Sequence, residues 1–183
     1  MVKANFTGVI FIAGQIAVGK TTLAVDLSKY LDCPIIDADA IKLAVYRTFP
    51  EYEGYMKSGK LIPNEYRLRA YNAISESIEN LAAEYSVIIV DENLYVASLR
   101  PILYNAAQKS FGAYKIILVT APEKIILEQL QNKRIGHTLN DPVATYLALK
   151  NMFEPMPEAD FVISNNGSTE KLFQETLEFL NED

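Results

Sequence analysis

The chain has 183 residues, 50% hydrophobic, 22% charged and 10% aromatic; this excludes disorder and, at roughly 100–200 residues per domain, a second full domain. Seventeen Lys and Arg against 23 Asp and Glu leave a formal charge of -6, so no positive field favours non-specific nucleic-acid binding or an acidic membrane surface. One cysteine, Cys33, and one histidine, His137, exclude an intramolecular disulfide and a Cys/His zinc site, and the expectation is a single domain over 1–183 in a reducing, cytoplasmic setting.

Residues 9–13 are a continuous apolar run, which predicts a strand covered on both faces. Lys3 ahead of it resembles the start of a secretion signal, but Gln15, Gly19 and Lys20 interrupt the stretch where a signal would continue. No apolar run approaches the ~20 residues that a membrane span needs, so no membrane association is expected. Directly after the strand, Gly14, Gln15, Ile16, Ala17, Val18, Gly19, Lys20 and Thr21 match the P-loop pattern of Gly, four residues, Gly, Lys, then Ser or Thr. A helical run over 21–31, which includes Thr22, follows it. The glycines permit backbone conformations that turn successive N–H groups inward, and the helix start points its positive end at the same spot. Lys20 supplies a charge for the β- and γ-phosphates, and the Thr21 hydroxyl can join a Mg²⁺ shell. The motif therefore predicts a site for ATP and Mg²⁺.

The next strand, 34–36, follows Cys33, read as an apolar core residue, and runs into Asp37 and Asp39. Two residues apart, these carboxylates share a side if the strand persists, with a turn or N-cap role as the alternative. Segment 48–63 is rich in Pro, Gly and Tyr and reads as a loop or lid. The long helix after it carries Tyr66, Arg67, Arg69 and Tyr71 near its start, with Arg67 and Tyr71 on one face. Strand 87–90 ends at Asp91, from which a carboxylate can hold Mg²⁺ beside Thr21; Glu92 follows. Strands 116–119 and 161–163 alternate with helices opened by Pro122, by Asp141 with Pro142, and by Ser168. Segment 135–141 reads as a second loop or lid, and Asn165, Asn166 and Gly167 form a turn after the last strand. Five apolar strands separated by helices predict an α/β three-layer sandwich around a five-stranded parallel sheet.

The order of these motifs resembles the P-loop small-molecule kinases grouped with zeta toxins, chloramphenicol phosphotransferases, gluconate kinases and polynucleotide kinase domains. The resemblance covers nearly the whole chain. It implies a nucleotide-kinase-like fold with a small lid at about 133–142 and an acceptor-side insert at about 48–71. It implies that Asp39, with Asp37 as understudy, orients or deprotonates the acceptor hydroxyl. It also implies that Lys133 and Arg134 clamp the nucleotide, with Arg134 joining Lys20 in catalysis, and that Asn166 lies near the adenine. Arg67, Tyr71 and Arg100 would complete the acceptor pocket. Two departures stand out: Gln129 occupies the first of two lid positions that are usually basic, and Lys42 stands where the family often has Arg.

The function expected is an ATP- and Mg²⁺-dependent kinase that phosphorylates a hydroxyl of a small-molecule acceptor. A GTPase is disfavoured because the nearest guanine-type string, Asn132 to Ile135, lacks the Asp. Two rivals remain: an ATP hydrolase or nucleotide-gated switch using Asp91 and Glu92, and a nucleotide-binding module without turnover.

Overall fold

The computed structural model describes residues 6–58, 62–131 and 142–182, without the side chains of 56–58. Five strands, β1 (Gly8–Ala13), β2 (Ile35–Asp37), β3 (Val87–Asp91), β4 (Tyr114–Thr120) and β5 (Phe161–Ser164), form one parallel sheet in the order β2-β3-β1-β4-β5. The strands are covered on both faces, as their unbroken apolar sequences require. Along β1, Val9, Phe11 and Ala13 face one core while Ile10 and Ile12 face the other, the period-2 alternation of a pleated strand.

Each core is closed by helices with an apolar stripe. On the first face lie α2 (Ala38–Tyr46), α4 (Asn64–Leu81) and α5 (Arg100–Phe111), whose Tyr71, Ile74, Ile78, Leu103 and Ala107 pack against Phe11, Ile88 and Val90. On the second lie α1 (Lys20–Leu31), α6 (Glu123–Gln131), α7 (Pro142–Leu149) and α8 (Thr169–Asn181), contributing Leu23, Leu27, Ile126, Tyr146, Leu172 and Leu180. Cys33 is buried among them, and burial pushes its thiol up to about 11. The result is the α/β three-layer sandwich expected. No described helix is long and apolar enough to cross a membrane.

One element departs from expectation. Segment 48–63, read as a loop, contains a further helix, α3 (Tyr52–Ser58). Pro50 precedes it, where a missing N–H costs nothing, and a Cβ added at Gly54 would meet nothing within 4 Å outside the helix's own backbone; breaker residues at tolerant positions conceal a helix. The expected lid at about 133–142 lies outside the described residues except for Pro142, which opens α7.

With β1 central, the chain crosses to β2 on one side and β4 on the other. The strand order therefore reverses at the carboxyl end of β1, where open α/β sheets form a crevice. Gly14 to Gly19 fill that point.

Candidate active site

The phosphate end of the crevice is made of backbone. Gly14 has φ 138, and a Cβ there would collide with the Val119 carbonyl. Gly19, at φ 103, caps α1, and a Cβ would meet Asn165 Nδ2 at 2.6 Å. Both positions need glycine for conformation and for space. Ala17 also takes a left-handed φ of 57, a strained choice for a residue with a side chain and one that clusters at functional sites. Val18 turns its side chain into the core, leaving its backbone to the loop.

Lys20 is buried, and its Nζ donates to the Gln15 carbonyl at 2.8 Å. Burial lowers its pKa, although Asp91, Asp39 and Glu92 oppose the shift. Thr21 Oγ1 donates to Asp91 Oδ2 at 2.6 Å, and half-buried Thr22 follows on α1. Burial raises the Asp91 carboxyl despite the Lys20 charge and the Thr21 bond. A hydroxyl and a carboxylate side by side, both hard oxygen donors, fit an ion that keeps most of its water and shares the rest with phosphate, as Mg²⁺ does.

Asn165, at the end of β5, supports this loop from behind. Its Nδ2 donates to the Val18 carbonyl at 2.8 Å and its Oδ1 accepts from Gly167 N–H at 3.0 Å, while the residue is 2% exposed. Asn166 is exposed and bonded to Ser164; of the two, Asn165 touches the P-loop. The neighbouring Gly167, at φ 98, is the sequence signal of a turn tight enough to aim it.

The opposite wall is made of side chains from α2, α4 and the segment after β3. Asp37 sits on β2 opposite Asp91, but its carboxylate caps α2, accepting from Ala40 N–H at 3.1 Å. One of its oxygens thus satisfies the helix end, the N-cap role that the sequence left as its alternative. Asp39 lies in the first turn of α2, exposed, with its carboxylate 2.7 Å from Lys42 Nζ. It is near enough to Lys20 and Asp91 to perturb both.

Lys42 also reaches Glu92 at 2.7 Å, and Tyr71 Oη donates to the other oxygen of Glu92 at 3.0 Å. All three residues are buried. Burial depresses the Lys42 ammonium, but Glu92 and Asp39 more than reverse this and leave its pKa raised. Tyr71 thus orients Glu92, and its hydroxyl is pushed upward by burial and by that carboxylate. In the sequence Lys42 is readable only as a departure from family pattern, although its i,i+3 spacing from Asp39 on a helix is a usable signal.

Arg67 is buried beside this network, its guanidinium 5.4 Å from the Tyr95 ring centroid. Arg100, expected in the acceptor pocket, is elsewhere. It is 2% exposed and donates to the carbonyls of Leu94, Glu154 and Pro155 at 2.7–2.8 Å and to Glu158 Oε1 at 2.9 Å. Its guanidinium is occupied with tying two loops together, which corrects its reading as a substrate contact. One of those loops carries Glu92 and Tyr95, and Leu94 within it has φ 54. Lys133 and Arg134 lie outside the described residues.

A pocket opens between the two walls, bordered by Gln15 and Ile16 of the P-loop, Tyr95, and Tyr146, Leu149 and Phe153 from the α7 side. Gln15 Nε2 donates across it to the Lys150 carbonyl at 3.3 Å.

Comparison with solved structures places this architecture. A sugar kinase from Janibacter sp. HTCC2649 is similar at 21% identity, with 96% of this chain and 95% of that one covered and a TM-score of 0.70. A gluconokinase from Sinorhizobium meliloti 1021 gives 21%, 96%, 92% and 0.69 in the same order. The APS kinase of Mycobacterium tuberculosis gives 12%, 95%, 97% and 0.64. No curated protein matches the sequence. The model of the AAA domain matches residues 9–155, a span that holds the P-loop, Asp39, Lys42, Arg67 and the Asp91–Glu92 pair. The chain therefore belongs to the AAA domain family, with the fold of the P-loop small-molecule kinases.

Proposed function

We propose that this protein is a cytoplasmic, single-domain kinase that transfers the γ-phosphoryl group of ATP to a hydroxyl of a small molecule. The observation that carries the reading is the position of Asp39. It is an exposed carboxylate held by Lys42 on the acceptor wall, close to both Lys20 and Asp91 of the phosphate end. A hydroxyl bound at Asp39 would be aligned toward a phosphoryl group held by the P-loop, and Asp39 would accept its proton. Lys20 would turn from the Gln15 carbonyl to the phosphate oxygens and stabilise their charge. Mg²⁺, when bound, would supply further charge neutralisation there, held by Thr21 and Asp91. Lys133 and Arg134, on the segment that the family resemblance makes a lid, would add positive charge. The names of the structural neighbours also point to small-molecule acceptors.

The hydrolase reading would need Glu92 to position a water. That carboxylate is instead buried between Lys42 and Tyr71, which favours an acceptor-aligning wall. The test is transfer of labelled γ-phosphate from MgATP into pooled hydroxyl compounds. Asp39→Asn is expected to lower kcat by roughly 10²–10⁴-fold and Lys20→Ala by roughly 10²–10³-fold. Acceptor-independent phosphate release that survives Asp39→Asn would replace the kinase with a hydrolase.

A further inference from the structure

Two arginines are buried among the described residues, and they differ in one respect. Arg100 donates to three carbonyls and a carboxylate. Arg67 is 6% exposed, yet among the described residues no group accepts a hydrogen bond from it and no carboxylate pairs with it. Buried guanidinium groups are almost always paired, because an isolated charge is costly to remove from water. Its place in the first turn of α4 adds to that cost, since the helix dipole disfavours a cation there.

The surroundings show why the fold does not satisfy it internally. The nearby acids are engaged: Glu92 with Lys42 and Tyr71, Asp39 with Lys42. Tyr95 supports the guanidinium through its ring at 5.4 Å, a contact that fixes the group without using its N–H donors. Tyr46, close enough for its hydroxyl to feel Arg67, Lys42, Tyr95 and Glu92, joins the same cluster. Tyr95 also borders the pocket that reaches Gln15 of the P-loop. A preorganised fork of donors therefore stands at the acceptor end of the crevice without a partner among the described residues.

We propose that Arg67 recognises an oxyanion, a carboxylate or a phosphate-type group, carried by the acceptor, so that the substrate is a hydroxyl-bearing acid rather than a neutral polyol. The planar fork suits two-pronged binding of such a group. This rests on the kinase reading for the word acceptor, but the anion site itself does not.

The test keeps the two apart. With the P-loop saturated by Mg²⁺ and a non-hydrolysable ATP analogue, small hydroxycarboxylates and sugar phosphates are titrated calorimetrically beside uncharged sugars and hydroxyamides of the same size. At least one acid is expected to bind the wild type tenfold or more tightly than its neutral counterpart. Arg67→Met is expected to weaken that acid tenfold or more, Arg67→Lys to recover part of the loss, and neither to lower Tm, since no hydrogen bond or ion pair among the described residues is lost and only the ring contact with Tyr95 changes. Equal binding of neutral compounds, unchanged acid affinity in Arg67→Met, or no binding by any acid would overturn the proposal. Arg67-dependent acid binding without phosphoryl transfer from MgATP would retain the anion site and remove the kinase reading. Transfer to a neutral hydroxyl compound would do the reverse. A response to carboxylates alone or to phosphates alone supports the site and identifies the oxyanion.

Discussion

The two walls of the crevice are built by different means. The phosphate end is a continuous stretch of chain from Gly14 to Thr21, shaped by left-handed φ values and by glycines whose space is already taken by Val119 and Asn165. The acceptor end draws Asp39, Lys42, Arg67, Tyr71, Glu92 and Tyr95 from three separate segments and joins them through ion pairs, one buried hydrogen bond and a ring contact. A backbone cradle recognises what all nucleotides share, whereas a side-chain network can be altered residue by residue without disturbing the fold. In the proposed kinase the first wall would carry the general chemistry and the second the specificity.

The contrast is sharpest where a buried charge is removed. Arg100→Met leaves the carbonyls of Leu94, Glu154 and Pro155 unpartnered and releases the loop that carries Glu92 and Tyr95. We expect it to cost about 3–5 kcal/mol of unfolding free energy, measured by urea denaturation. A loss below about 1 kcal/mol would mean that Arg100 is not the structural tie described.

Lys42→Met strands Glu92, whose side chain is fully buried, and is expected to cost about 3 kcal/mol at neutral pH. Glu92→Gln in the same chain should restore part of it. Because the folded pKa of Lys42 is raised, its contribution is fully present below the ordinary lysine value of 10.5 and is lost as pH rises through the folded value. The difference between wild type and Lys42→Met should accordingly stay flat across neutral and mildly alkaline pH. A difference that shrinks between neutral pH and 10.5 would contradict the ion-paired network.

Smaller effects test the other wall. Asn165→Ala removes the bond to the Val18 carbonyl and should cost about 1–3 kcal/mol, raising the KM for MgATP more than it lowers kcat. Asp37→Ala deletes only a helix cap and should cost about 1 kcal/mol with turnover per folded molecule retained. If Asp37→Ala abolished turnover while Asp39→Asn spared it, the roles of the two carboxylates would be reversed.

Much of the phosphate end is legible in the amino-acid sequence. Eight consecutive residues specify the loop, and the run 87–90 ending in Asp91 leads to the carboxylate that meets Thr21 at 2.6 Å. The acceptor end is only partly legible. Arg67, Tyr71 and Arg100 look alike in sequence as polar residues on helices, yet one is unpaired among the described residues beside the crevice, one is bonded to Glu92, and one is consumed in holding loops. Spacing cannot separate Asp37 from Asp39, because the strand ends between them and α2 takes the first as its cap. The breaker-rich run 48–63 hides α3 for a related reason: its Pro and Gly fall where a helix tolerates them.

By itself, then, the sequence determined the parallel α/β architecture and the phosphate loop, since apolar periodicity and local backbone geometry act over neighbouring residues. Only the tertiary structure decided which charges face each other across the crevice. Whether a buried Lys, Arg or Glu is paired depends on what other segments bring within a few ångströms of it, and burial makes that pairing decide its role.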